Sequence, residues 1–271
     1  MDRETCAYFR EKHGLERLEP IEKGWSSDVK YKAADKDGKL CLLRITPPGK
    51  DANRREMFEL TQRTASLGVP MCAPLGFGTC AEGTYSLFEW IDGVELEAAL
   101  ADLPDVEQYV YGVQAGEILQ KIHSIPAPDN VPDWAERFNA KASRKIEIFR
   151  SCPIQFEGGE AIIAYIEENC GLLENRPQCF QHGDYHVGNM MLDRAGKLRI
   201  IDFDRYDFGD PWEEFNRIPW CAQASPHFAT GLLNGYFGGE PPMEFWRLLA
   251  ATCFPPSRGR SRSGRGRSTR C

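Results

Sequence analysis

The sequence predicts an α+β protein of two lobes, a small sheet-rich one followed by a larger, mainly helical one. Three observations carry this. The first 93 residues hold two hairpin signatures around one amphipathic stretch. After Gly93 the apolar residues recur at helical spacing, and a compact block of polar chemistry, residues 181–204, interrupts the helical stretches. Elements in that order build a small sheet with helices segregated to one end.

Residues 4–19 set Tyr8, Phe9 and Leu15 among charges and read as an opening helix. "DVKYKAAD" and "KLCLLRI" come next as strands, joined through Asp37-Gly38, a residue pair suited to the positive φ of a tight hairpin turn. "RREMFELTQRTASLG" is an amphipathic helix stopped at Gly68. "GTCAEGTYSLFEWIDG" is a second hairpin, turning near Glu82-Gly83 and running into a connector. Beyond it, "VEQYVYGVQAGEILQKIHSI" is a long helix on Val110, Val113, Ile118, Leu119 and Ile122. Pro126 to Pro132 form a loop, and "AIIAYIEENCGLLEN" is a further helix. "NMML" and "LRIIDF" are short strands around the turn "DRAG", and "PWEEFNRIPW" and "MEFWRLLAA" return to helix. The division expected is a first lobe over 1–93, a second over 94–254 and a tail over 255–271. In that tail Arg, Ser and Gly alternate almost without apolar residues, a composition that predicts disorder.

A chain of 271 residues can bury a substantial core. No run of eighteen apolar residues occurs, so no membrane span is expected. The charged start "MDRETCAYFREKHG" lacks the apolar stretch of a secretory signal. Ten cysteines without a C-x-x-C pair then read as reduced thiols, and the expected location is the cytoplasm. The net charge is −7, but residues 258–271 hold six arginines; without them 27 basic residues face 40 acidic ones, a body charge of −13. Such a body repels nucleic acid and attracts polycationic small molecules, although much acidity of this kind is simply solvated surface.

The block "QHGDYHVGNMMLDRAGKLRIIDFD" admits three chemistries. A metal cage of His182, Asp184 and His186 would need one side of a regular strand, which Gly183 and Gly188 oppose, and it lacks a fourth ligand. Nucleophilic hydrolysis would need an elbow such as G-x-S-x-G, which the sequence does not contain. Phosphoryl transfer needs a carboxylate to orient an acceptor hydroxyl and oxygen ligands for a divalent metal beside the phosphates. His182, Asp184 and Asn189 fall at the spacing of a kinase catalytic loop, and Asp202 lies across a hairpin that returns it beside Asn189.

With "HGDYHVGN", "IIDFD" and "GDPWEEF" in one chain, the sequence resembles the aminoglycoside phosphotransferase family, relatives of choline kinase and methylthioribose kinase, over roughly residues 20–250. The resemblance implies a bilobal protein-kinase-like fold and transfer of the γ-phosphoryl group of ATP or GTP, with Mg²⁺, to a hydroxyl of a small molecule, an aminoglycoside first among the acceptors. It implies that Asp184 orients and deprotonates that hydroxyl, that Asn189 and Asp202 hold magnesium, and that His182 and Asp210 are structural supports. His186 is expected to pack. In the first lobe, Gly24, Ser26 and Ser27 stand where kinases cover the phosphates, and Arg44 stands where protein kinases have lysine. Glu56, with Glu59 as alternative, is expected to position Arg44, and the backbone of Glu89, Trp90 and Ile91 to meet the base. Glu213 and Glu214 are placed either in the acceptor pocket or in the first turn of a capped helix. Choline, a sugar or an amino alcohol are alternative acceptors, with Trp134, Trp212 and Trp220 candidates for a cation cage. The Arg-rich ending stands where relatives continue into further helices, so a truncated second lobe, and with it a nucleotide-binding protein without activity, is the contrasting expectation.

Overall fold

The computed structural model describes residues 3–22, 27–49, 51–153 and 156–252. The first lobe runs α1 (Arg3–His13), β1 (Leu15–Ile21), β2 (Val29–Asp35), β3 (Leu40–Thr46), α2 (Arg54–Ser66), β4 (Pro74–Cys80) and β5 (Gly83–Glu89). Its five strands form an antiparallel sheet in the order β1-β2-β3-β5-β4. Phe9, Tyr31, Leu43, Ile45, Tyr85 and Leu87 make its core. The β2–β3 turn falls at Asp37-Gly38, where the Asp35 carboxylate accepts the backbone N–H groups of Asp37 and Lys39, both at 2.9 Å.

The expected opening helix over 4–19 is corrected: it stops at His13, and Leu15–Ile21 is an edge strand. Gly14, at φ +67°, breaks the helix. A bulge between Leu15 and Arg17 then shifts the strand register, so that Leu15 and Leu18 both meet the first-lobe core. A bulged strand therefore carries the three-residue spacing of a helix.

The second lobe opens with β6 (Gly93–Glu95), α3 (Leu96–Leu100) and α4 (Asp105–His123) and continues with α5 (Trp134–Ser151) and α6 (Gly159–Glu168). Next come β7 (Cys179–Gln181), β8 (Met190–Asp193), β9 (Leu198–Ile200) and β10 (Asp207–Gly209). The described chain ends with α7 (Ile218–Ala224), α8 (Pro226–Phe237) and α9 (Met243–Thr252). Strands β6, β8 and β9 form a small sheet, and β7 pairs with β10. A separate core, built on Leu119, Ile122, Phe180, Ile200, Phe228 and Phe245, fills this lobe. Among the described residues no helix is long and apolar enough to cross a membrane. The expected disorder of 255–271 lies outside the described residues.

Of the apolar residues expected on α4, Ile118, Leu119 and Ile122 are buried and Val110 is exposed. Helix α4 also buries glycine: Gly112 and Gly116 meet Gly231 and Gly235 of α8, and a Cβ on Gly116 would strike the Leu232 carbonyl and the Tyr236 nitrogen. Helix propensity alone would make Gly116→Ala stabilising by about 1 kcal/mol. Here the obstacle is backbone, which cannot rotate away, so a net loss of about 1–3 kcal/mol is expected. A thermal melt with an unchanged or raised midpoint would show that the two helices separate without cost.

Candidate active site

The catalytic loop begins where β7 ends. Gly183, at φ +80°, lies so close to the Arg205 carbonyl that a Cβ would overlap it. His182 is fully buried. Its Nε2 donates to the Ile201 carbonyl at 2.9 Å, and its Nδ1 accepts the Asp184 N–H at 3.3 Å. The backbone N–H can only donate, which places the ring proton on Nε2. The ring thus ties the catalytic loop to the residue before Asp202. From the other side the buried Glu214 carboxylate accepts the N–H groups of Gly183 and Tyr185, both at 3.1 Å. Asn189 Nδ2 donates to the Asp184 carbonyl at 2.9 Å, and the Asn189 carbonyl accepts from Ile201 N at 3.0 Å.

The Asp184 carboxylate therefore sits on a loop fixed from three directions. Arg217 Nε donates to its Oδ1 at 2.9 Å, Arg205 Nη1 lies 3.6 Å from Oδ2, and His186 Nε2 lies 3.8 Å from Oδ1. His186 accepts the Gly188 N–H on Nδ1 and meets the Trp220 ring edge-on. Burial first, then Arg217 and His182, lower its pKa against the pull of Asp184.

Asp202 lies two residues past the end of β9 with φ +65°, a left-handed conformation that Asp tolerates better than most residues. It faces a cleft of about 220 Å³ between the lobes, lined also by Lys30, Arg44, Phe88, Trp90 and Met191. Glu89 and Ile91 complete its rear wall. The Glu89 side chain pairs with Arg199, and the Lys32 ammonium lies 5.0 Å from the centre of the Trp90 ring. Of the expected phosphate-covering residues, Gly24 and Ser26 lie outside the described residues, and Ser27 is exposed.

Arg44 is in the cleft, but Glu56 is not its partner. The guanidinium is held by Asp28 and, through two nitrogens, by Asp204. Arg54, in the first turn of α2, joins both acids at 2.9 Å. Glu56 instead accepts from the Tyr206 hydroxyl at 3.0 Å. Residues two apart on a helix do not share a face, so with Arg54 turned to the network Glu56 is carried away from it. Burial pushes the Asp204 carboxyl up, and Arg44 and then Arg54 more than offset it, leaving the pKa below the usual range.

Asp210 is fully buried and paired with Arg176, and it accepts the Trp212 N–H at 2.6 Å. Its carbonyl accepts from Gln181 Nε2 at 2.6 Å, which secures the strand entering the catalytic loop. The next segment is a short 3₁₀ helix, Glu213–Arg217, rather than the α-helix expected. Glu213 accepts from Trp134 Nε1 and lies 3.6 Å from Lys141; burial raises its pKa. Both oxygens of Glu214 are turned inward onto loop N–H groups. Trp134 is buried in a core with Phe138 and Leu248, and Trp212 stacks under Arg176, so neither joins Trp220 in a cage.

The profile of the phosphotransferase enzyme family matches residues 17–246. The chain belongs to this family. It is similar in structure to aminoglycoside phosphotransferase APH(2'')-Ib bound to ADP, with a TM-score of 0.65 at 16% identity, covering 88% of this chain and 82% of that one. A choline/ethanolamine kinase family protein from Mesorhizobium loti gives 0.62 at 19% identity, covering 92% and 81%. A GDP complex of aminoglycoside 2'-phosphotransferase-IIIa gives 0.67 at 14% identity, covering 92% and 86%. No curated protein matches the chain. The α+β, kinase-like fold expected from the sequence is the fold these structures share, and this member of the phosphotransferase enzyme family is a small-molecule phosphotransferase. Sequence reasoning missed four charged residues of its site: Asp28, Arg54, Asp204 and Arg217. Only the second aspartate of "IIDFD" carried a signal, as a carboxylate in place of the glycine of D-F-G.

Proposed function

We propose that this phosphotransferase moves the γ-phosphoryl group of ATP or GTP to a hydroxyl of a small molecule, with Asp184 as the group that orients and deprotonates the acceptor. The observation that carries the reading is the His182 bridge. One ring links the Asp184 N–H to the Ile201 carbonyl, and so holds the proposed base and the proposed metal-binding Asp202 in a fixed relation. The acceptor oxygen forms a bond to γ-phosphorus as the bond to the β–γ bridging oxygen breaks; the hydroxyl proton passes to Asp184, and a phosphomonoester and a nucleoside diphosphate leave. Nucleotide use is supported by similar structures that hold ADP, GDP, or ATP with streptomycin. The cleft against Glu89, Trp90 and Ile91 is the site proposed for the base.

Magnesium fits the donor set. Asn189 spends its amide N–H on the Asp184 carbonyl, leaving its amide oxygen as a donor, and Asp202 is an exposed carboxylate at the cleft. One carboxylate and one amide, completed by water and phosphate oxygens, is a typical magnesium environment. Bound there, the ion would neutralise charge developing on the phosphates. Replacing Asp202 by Ala is expected to remove the Mg²⁺ dependence of nucleotide binding, read by titrating nucleotide calorimetrically with and without the ion. An unchanged dependence would refute the metal role.

For the acceptor, the net charge of the body and similar proteins whose structures hold gentamicin or streptomycin favour an aminoglycoside, whereas the guanidiniums of Arg205 and Arg217 beside Asp184 oppose a polycation there. Turnover with Mg²⁺ and ATP over aminoglycosides, choline, simple sugars and hydroxy acids, with mass detection of products, tests the reaction. The absence of any phosphorylated product together with no nucleotide binding would sink it.

A further inference from the structure

The net charge of the whole protein is not the charge at Asp184. From the acid's immediate surroundings we infer that the acceptor is an anionic alcohol, bearing a carboxylate or phosphate near its reactive hydroxyl, and that Arg217 binds that oxyanion. The inference rests on the phosphotransferase reading and specifies the acceptor side of the same site.

Two guanidinium groups face the one carboxylate of Asp184, Arg217 at 2.9 Å and Arg205 at 3.6 Å. Lys145 of α5 adds to the field: burial lowers its pKa first, then Lys141 and Arg217 as like charges, against a pull from Glu213. Two of the acids on this side are already engaged. Glu213 is tied to Trp134 and Lys141, Glu214 is turned into the loop, and Glu97 lines a neighbouring recess with His186 and Trp220. Among the described residues, the charged side chains that meet the Asp184 carboxylate within 4 Å are guanidiniums, so an acceptor held there meets positive charge first. A polycationic acceptor would bring ammonium groups against two guanidiniums, whereas an anionic one meets them.

Arg217 has the geometry for that role. It is partly exposed and stacked on Trp220, with its carbon 4.8 Å from the ring centre, which fixes the plane of the guanidinium. Its Nε is used by Asp184, while its Nη groups donate to no other side chain among the described residues and remain as a pair of donors. A fork of this kind suits a carboxylate or phosphate, which an ammonium or a neutral sugar would not match. A hydroxyl on Asp184 and an oxyanion on the adjacent Nη atoms are then held by one ion pair, so the two groups of the acceptor are separated by a short carbon spacer.

The test uses full-length protein loaded with Mg²⁺ and AMP-PNP, so that the nucleotide phosphates are already supplied. Inorganic phosphate, D-glycerate and kanamycin are titrated in separate arms while tryptophan emission is followed, Trp220 being the ring stacked on Arg217. A saturable response to phosphate or glycerate is expected, weakened roughly tenfold to a hundredfold in Arg217→Gln and less in Arg217→Lys, which keeps the charge but not the fork. The phosphate and glycerate arms distinguish a phosphorylated acceptor from a hydroxycarboxylate. In turnover assays the same variants should raise the acceptor KM and leave the nucleotide KM unchanged. No response to either oxyanion, an equal response in Arg217→Gln with an unaltered melt, or transfer confined to aminoglycosides would overturn the anionic acceptor and leave the phosphotransferase reading standing. Failure to load Mg²⁺ and AMP-PNP at all would overturn the phosphotransferase reading itself.

Discussion

Asp184→Ala is expected to lower phosphoryl transfer by between about a hundredfold and ten-thousandfold, the usual contribution of a positioned general base. Nucleotide affinity should stay within a few-fold of the parent. The two effects separate because the loop does not depend on this carboxylate. His182, Glu214 and Asn189 hold the loop through the backbone groups of residues 183–185, all of which alanine retains. The carboxylate contacts only Arg217, Arg205 and His186 among the described residues. Asp184→Asn is the closer comparison in shape, although it removes the negative charge as well as the ability to take a proton. Transfer surviving in both variants at near the parental rate would sink the assigned role. Loss of nucleotide binding along with activity would mean instead that Asp184 is needed for the architecture of the cleft.

How much of this is legible in the sequence differs from one element to the next. The catalytic block is legible because its chemistry is local: His182, Asp184, Asn189 and Asp202 lie within 21 residues, and one hairpin brings the last beside the others. The partner of Arg44 is not, because it depends on which residue of α2 faces the cleft. The helix starts at Arg54, and the face so presented carries an arginine that shares Asp28 and Asp204 rather than a glutamate that pairs with Arg44. Helix α5 escapes a reading by pattern although Asp133 caps it and Trp134, Phe138, Ala142 and Ile146 recur at steps of four; the charges between them dilute the signal. Helix α8 is hidden for a different reason. Its apolar residues Phe228, Leu232, Leu233 and Tyr236 recur at helical spacing, but Gly231 and Gly235, poor helix formers, stand among them.

Glu214 is where the structure adds most to the sequence, and its loss should be felt in stability and activity together. The residue is 4% exposed and neutralised by no arginine or lysine among the described residues; it accepts two loop N–H groups, and the His123 ring lies 3.8 Å away. Burial raises its pKa, but the nearby imidazoles of His123 and His182, with the Gly183 N–H, more than offset this and hold it below the ordinary 4.5. A depressed carboxyl contributes stability that is fully present above 4.5 and is lost as pH falls through the lower folded value. Glu214→Ala leaves the Gly183 and Tyr185 N–H groups buried without acceptors, at a cost of about 3 kcal/mol or more. It also frees the loop that carries Asp184, so kcat should fall even at temperatures where the protein stays folded. Glu214→Gln can accept one of the two N–H groups and must set its own NH₂ against the other, which places it between parent and alanine in both measurements. Denaturant titration of the three proteins at neutral pH and again below pH 4.5 checks the sign: the gap between parent and Gln variant should narrow in acid. A gap that is constant with pH would assign the stabilisation to packing rather than to the charged carboxylate.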